Sequence, residues 1–213
     1  MDRSGSSDRD HQDAFGQEYS AEQSSERRGQ DRYRTVCRVA RVKRAHDVGL
    51  WRVRNLSNAG AMLAADVAMK AGERVEIALS ETIRVSGMIA WTRQGRCGVA
   101  FDTAVDAAAL LKRLGAELRA ENYRALRLPI ECEARVVLDH GTRPIDLIDL
   151  SQQGAGYSYG AVLEPGTALD LLLKRGTLQR RAIVRWSQGA RGGLWFTVPL
   201  DRADLESVLH FRS

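Results

Sequence analysis

From Thr35 onward the chain alternates between two faces: Val36, Arg38, Ala40 and Val42 interleave with Cys37, Val39, Arg41 and Lys43. Period two is the signature of a half-buried strand. Further strand-like runs follow at 51–55, 73–79, 83–91 and 97–101, and after a gap at 130–138, 145–150, 168–173, 180–186 and 193–198. Short strands separated by Gly/Pro signals such as Gly141, Pro144, Pro165-Gly166 and Gly176 predict closed or nearly closed antiparallel barrels. Between the two sets the period becomes helical. Thr103 and Asp106 form a T-x-x-D start signal, after which Ala107, Leu110, Leu111, Leu114 and Leu118 fall on one face of a helix ending near Arg119. A shorter stripe, Leu205, Val208 and Leu209, predicts a second helix at the end of the chain.

The two sets of strands are one unit written twice. NLSNAG at 55–60 recurs as DLSQQG at 149–154, an offset of 94. Gly72 recurs as Gly166, and after one added residue Trp91, Gly98 and Phe101 recur as Trp186, Gly193 and Phe196. That period is too long for a solenoid repeat and fits a small domain. The expected organisation is an acidic tail over 1–25, a first barrel over 26–119 and a second over 122–213, each barrel followed by a helix. The tail is polar and without an apolar period, so it is expected to be disordered in the free protein.

Composition changes the picture in two places. The formal charge of +5 divides unevenly, because residues 1–26 carry seven acids against Arg3 and Arg9, leaving the remainder at +10. Only four lysines occur, so that basic part is almost wholly arginine, a side chain suited to forked recognition of phosphates and guanine edges. No apolar run approaches the ~18 residues of a membrane span and no signal-peptide pattern is present, so a cytoplasmic protein is expected. Cys37, Cys97 and Cys132 sit in strand-like runs without metal-ligand spacing, and His11, His46, His140 and His210 are scattered. Ordinary buried thiols are expected, with neither a disulfide framework nor a metal site. No paired carboxylates, nucleophile motif or phosphate-cradling glycine loop points to an enzyme.

Upstream of the first strand stands ERRGQDRYR, residues 26–34, with Arg28 and Arg32 four apart and Arg27 just ahead. Guanidiniums on a loop beside Asn55, Ser57 and Gly60 suit an anionic guanine nucleotide. Arg can fork onto O6 and N7, pair with a phosphate or stack on the purine, while Asn answers the other guanine edge. Ser and Gly let a ligand approach the backbone.

RxxxR at Arg28 and Arg32, followed by [D/N]xSxxG at Asn55, Ser57 and Gly60, resembles the PilZ domain. The resemblance covers residues 27 to about 118 and again about 122–212. It implies an all-β fold of two tandem six-stranded antiparallel barrels and a ligand, the bacterial second messenger cyclic di-GMP, rather than a cofactor. It further implies that Arg28 and Arg32 hold guanine and phosphates, that Asn55 and Ser57 contact a guanine, that Gly60 serves the turn, and that Arg27 goes with a self-stacked ligand pair. The second unit departs from the pattern: Arg127 matches the second motif arginine, but Tyr123 occupies the first position and Arg124 falls one residue late. With Asp149, Ser151 and Gly154 intact it reads as a degenerate second site. The expected function is a non-enzymatic receptor whose ligand closes the arginine loop onto the first barrel, reorients that barrel against the second barrel or the tail, and so changes a surface read by a downstream protein. The alternatives are a ligand-independent adaptor of the same fold and, against the scarcity of aromatics, a basic nucleic-acid-binding barrel; no specific nucleic acid is expected.

Overall fold

The computed structural model describes residues 38–121, 123–158, 162–173 and 177–211. The acidic tail, Cys37 and the arginines Arg27, Arg28 and Arg32 lie outside the described residues.

Two closed six-stranded antiparallel barrels follow one another in the chain. The first comprises β1 (Arg38–Lys43), β2 (Val48–Ser57), β3 (Gly60–Ala64), β4 (Arg74–Ala78), β5 (Arg84–Arg93) and β6 (Arg96–Phe101), ordered β1-β2-β3-β6-β5-β4 with β4 closing on β1. The second comprises β7 (Leu128–Leu138), β8 (Gly141–Ser151), β9 (Gly154–Ser158), β10 (Ala168–Leu173), β11 (Leu178–Gln188) and β12 (Arg191–Phe196), in the equivalent order. Inward positions such as Ala40, Val42, Trp51, Val53, Ile77 and Ile89 fill the first core, and Val136, Leu147, Leu171, Val184 and Phe196 the second. The short strands β3 and β9 complete each six-stranded set; neither is among the alternating runs of the sequence.

The repeat extends to individual hydrogen bonds. Phe101 N donates to Ala59 O and Phe196 N to Gln153 O, while Val105 N reaches Asn58 O and Leu200 N reaches Gln152 O. Gly72 and Gly166 both take positive φ, +85° and +89°, at the turn before β4 and β10. That is the left-handed region open to glycine at little cost.

Helix α1 (Ala107–Arg119) is capped by Asp106, whose Oδ1 accepts from Ala109 N at 2.9 Å, so the cap is the aspartate and not the threonine of the T-x-x-D signal. Ala107, Leu110 and Leu114 bury against the first core, whereas Leu118 remains exposed. After the second barrel the apolar stripe forms two single turns of 3-10 helix, Ala203–Glu206 and Val208–His210, and no α-helix. Ser207 between them is extended (φ −152°), and its side chain is held by the first barrel.

That contact belongs to a buried polar junction joining the barrels, which fall in one compact unit. Asp47, between β1 and β2, pairs with Arg44 and accepts from Ser207 Oγ at 2.8 Å and Val208 N at 3.1 Å. Trp51, fully buried, donates from Nε1 to Glu206 O at 2.8 Å and lies under the Arg44 guanidinium, 5.1 Å from the ring centre. The Glu206 carboxylate in turn accepts from Asp66 N. Leu50 of β2 is buried in the second core. With Asp47, Glu206 and Ser207 each less than a tenth exposed, every one of these polar groups needs its partner.

Candidate functional site

Strict alternation from Trp51 and Val53 would send Asn55 into the first core. It does not go there, because β2 carries a bulge between Val53 and Asn55: Val53 pairs with Leu63, Asn55 with Met62, and Arg54 is the extra residue. The phase resets, so that Leu56 turns inward and Asn55 and Ser57 turn outward. β5 does the same between Ile89 and Trp91, which turns the indole out to 44% exposure where strict alternation would bury it.

The two bulges bring four residues into one row across the outer face, Asn55–Met62–Gly98–Trp91, each directly opposite the next on β2, β3, β6 and β5. Ser57, Gly60, Ala100 and Met88 form the parallel row two residues along. Gly98 makes the arrangement possible, because a Cβ there would stand 2.1 Å from Trp91 Nε1. The indole therefore lies on bare backbone and offers its other face outward. Neither Trp91 nor Met62 was singled out as a site residue from sequence; the Trp91/Gly98 repeat was the available signal, but its outward direction depends on the bulge.

Within the motif, Asn55 Oδ1 accepts from Met62 N at 3.1 Å, and Ser57 Oγ donates to Gly60 O at 3.2 Å. Gly60 is needed for space and not for φ: it is absent from the positive-φ glycines, and a Cβ there would stand 2.2 Å from Val99 O. Asn58, in the turn, accepts from Ala107 N at 3.1 Å and ties the motif hairpin to the start of α1. The arginine loop that should face this patch lies outside the described residues.

The second barrel repeats the geometry with different chemistry. Bulges between Leu147 and Asp149 and between Val184 and Trp186 again turn the motif residue and the indole outward, onto a row Asp149–Gly156–Gly193–Trp186. Ser151 Oγ donates to Gly154 O at 3.2 Å, and Asp149 Oδ1 accepts from Gly156 N at 2.9 Å. That carboxylate also pairs with Arg127 at 2.5 Å. The residues of the degenerate site, Arg124, Arg127, Asp149, Ser151 and Gly154, come together with Tyr123 in the lining of a cavity of about 1260 Å³ between the barrels. Arg127 is further fixed through its carbonyl, which accepts from Arg41 of β1 at 2.9 Å.

Among the described residues no group of three His, Cys, Asp or Glu could hold a metal ion, and no helix is long and apolar enough to cross a membrane. Cys97 is buried and Cys132 half-buried, and burial raises both thiols, Cys97 to about 11. Neither is poised as a nucleophile.

Compared with known proteins, the chain matches the PilZ domain twice, over residues 26–120 and 118–211. Among solved structures it is similar to PlzA of Borreliella burgdorferi in complex with c-di-GMP, with 11% identity, 92% of this chain and 99% of that one covered, and a TM-score of 0.38. It is also similar to the Bacillus subtilis inhibitor of motility MotI/DgrA (10% identity, 83% and 95% covered, TM-score 0.33) and to YcgR of Escherichia coli in complex with c-di-GMP (12%, 78% and 80%, 0.30). No curated protein matches.

Proposed function

Since the chain belongs to the PilZ domain family over both of its barrels, we propose that it is a receptor for cyclic di-GMP, acting by binding rather than catalysis, with its ligand site on the first barrel. Arg28 and Arg32, with Arg27, take the phosphates and one guanine edge, and Asn55 and Ser57 take the other. Trp91 supplies a flat face beside them.

The observation that carries this reading is the outward row on the first barrel, where two separate bulges bring a motif amide and an indole to the same solvent-facing patch. A purine needs such a pairing of in-plane hydrogen bonds with a stacking surface. The family match begins at residue 26, so it takes in the arginine loop. Ordering of that loop on the barrel is the switch we favour, because the buried junction around Asp47 and Glu206 opposes rotation of one barrel against the other. The loop and the ligand together then present a new surface to a downstream protein partner.

Calorimetric titration of cyclic di-GMP into the full chain tests this. Saturable binding is expected, weakened about 10- to 100-fold by Arg28→Ala or Arg32→Ala, the loss that follows from removing charge-assisted hydrogen bonds. Excess single-stranded DNA or RNA should leave it unchanged. Binding unaffected by both substitutions would overturn the site, and a folded wild-type chain that does not bind would leave a ligand-independent adaptor as the function.

A further inference from the structure

Because the barrel is duplicated, the pairing register fixes which residues of the two copies are equivalent, and their outer faces can be compared place by place. On β4 and β5, Arg74 lies opposite Met88 and Glu76 opposite Ser86; on β10 and β11 the same places hold Ala168 opposite Ile183 and Asp170 opposite Arg181. The neighbouring strands extend the comparison. Lys43 opposite Glu76 becomes Val137 opposite Asp170, and Ala100 opposite Met88 becomes Trp195 opposite Ile183. Ala78 opposite Arg84 becomes Leu172 opposite Gln179.

The first copy saturates this face with its own ion pairs, Arg74–Asp102 at 2.7 Å and Arg84–Glu76 at 3.5 Å. The second copy has neither, since Ala168 replaces Arg74, Gln179 replaces Arg84, and Thr197 stands where Asp102 does, its N–H donating to Arg181 O as that of Asp102 donates to Ser86 O. What it presents instead is an apolar row on three adjacent strands, Ala168–Ile183–Trp195, with Val137 and Leu172 next to it. Ala168 is exposed, Trp195 is 40% exposed, and Ile183, Val137 and Leu172 are half-buried. Beside the row stand Asp170 and Arg181, and among the described residues neither takes an ion pair.

Outward apolar residues gain nothing from the barrel core, and a contiguous exposed group of them marks a docking surface. The two charges decide what fits it. Asp170 and Arg181 lie directly opposite one another, so a two-fold axis running between β10 and β11 sets each Arg181 against Asp170 of the partner subunit. The same operation lays Ile183 against Ala168 of the partner subunit. The face is therefore complementary to itself, whereas a partner of one charge sign would leave Asp170 or Arg181 against a like charge.

We propose that the β10–β11 face of the second barrel binds a second copy of this chain, forming a two-fold dimer with Ala168 and Ile183 at its centre and reciprocal Arg181–Asp170 pairs. This contact uses neither the motif hairpin β8–β9 nor the arginine loop, so it stands independently of the function proposed above.

Sedimentation velocity of the full chain without nucleotide, over a series of protein concentrations, tests it. The wild type is expected to form a species of twice the monomer mass. Ala168→Arg returns to an exposed position the charge that the first barrel carries there, and Asp170→Arg sets like charges against each other. Each should weaken the dimer at least about 30-fold. Asp170→Arg/Arg181→Asp exchanges the charges and keeps their complementarity, so it should restore the dimer to within about 3-fold of the wild type. Urea unfolding shows that each variant is folded. A wild type that stays monomeric at every concentration overturns the proposal and leaves the face to a different protein. A dimer that persists in Ala168→Arg uses another face, and a folded exchange variant that stays monomeric refutes the reciprocal pairing.

Discussion

Replacing Asp47 by alanine should destabilise the protein far more than removing an exposed carboxylate that also pairs with an arginine. Asp47 is 7% exposed, pairs with Arg44 and accepts from two donors of the C-terminal turns, Ser207 Oγ and Val208 N. Its loss leaves the Arg44 guanidinium and the Ser207 and Val208 donors without that partner in a dry site. Breaking a buried pair from one side costs about 3–5 kcal/mol. For a folded unit of this size each kcal/mol moves the midpoint by about 2–4 °C, so Tm should fall by roughly 6–20 °C. The control is Asp102→Ala, which breaks the Arg74–Asp102 pair, whose side chains are 71% and 38% exposed; water and salt screen it to about 0–1 kcal/mol. Urea unfolding of both variants checks the contrast, and an Asp47/Ser207 double-mutant cycle isolates the part that crosses between barrels, expected at about 1 kcal/mol. An Asp47→Ala loss no larger than that of Asp102→Ala would show that the junction does not bind the barrels together, and reorientation of the barrels would return as a signalling route.

Three further outcomes follow from the geometry. Gly60→Ala should destabilise by about 1–3 kcal/mol because its Cβ meets the Val99 carbonyl, whereas Gly72→Ala, with open space but φ at +85°, should cost about 1 kcal/mol of backbone strain; equilibrium unfolding separates the two causes. Asn58→Ala removes the bond to Ala107 N and should cost about 1 kcal/mol, with faster amide exchange at the start of α1 as its signature. Burial pushes the Cys97 thiol up to about 11 from 9.0, so the folded chain keeps its proton where the unfolded chain loses it. That contribution is complete below pH 9 and is lost as pH rises from about 9 to about 11, up to roughly 2–3 kcal/mol. Burial also raises Cys132 and Tyr157, so it is read as the difference in unfolding free energy between wild type and Cys97→Ala at pH 8 and 10.5; no difference in slope would refute it.

The barrels, their duplication and α1 were legible because each rests on local information. Alternation fixes which side of a strand is wet, the recurrence of Trp91, Gly98 and Phe101 fixes the copy, and Leu110 and Leu114 fix the buried face of α1. The short strands were not legible. GAMLA is too brief and too uniformly apolar to alternate, and GAGYS looks like a turn, because its glycines answer neighbours on the strands paired to either side: Gly154 the Leu194 carbonyl and Gly156 the Asp149 carboxylate. The segment after the second barrel carries a helical stripe, yet Asp47, some 160 residues away in sequence, holds Ser207 extended and breaks it into two turns.

The sequence by itself determined the kind of residues the site would contain, since amide, hydroxyl, glycine and arginine carry their chemistry wherever they stand. Tertiary structure alone decided which way they face and what stands beside them. The bulges that turn Asn55 and Trp91 outward are properties of strand pairs, and the cavity that gathers Arg52 with Arg185 and Trp186 exists only because the second barrel docks on the first. Each depends on how strands pair or barrels pack, which no period along a single strand encodes.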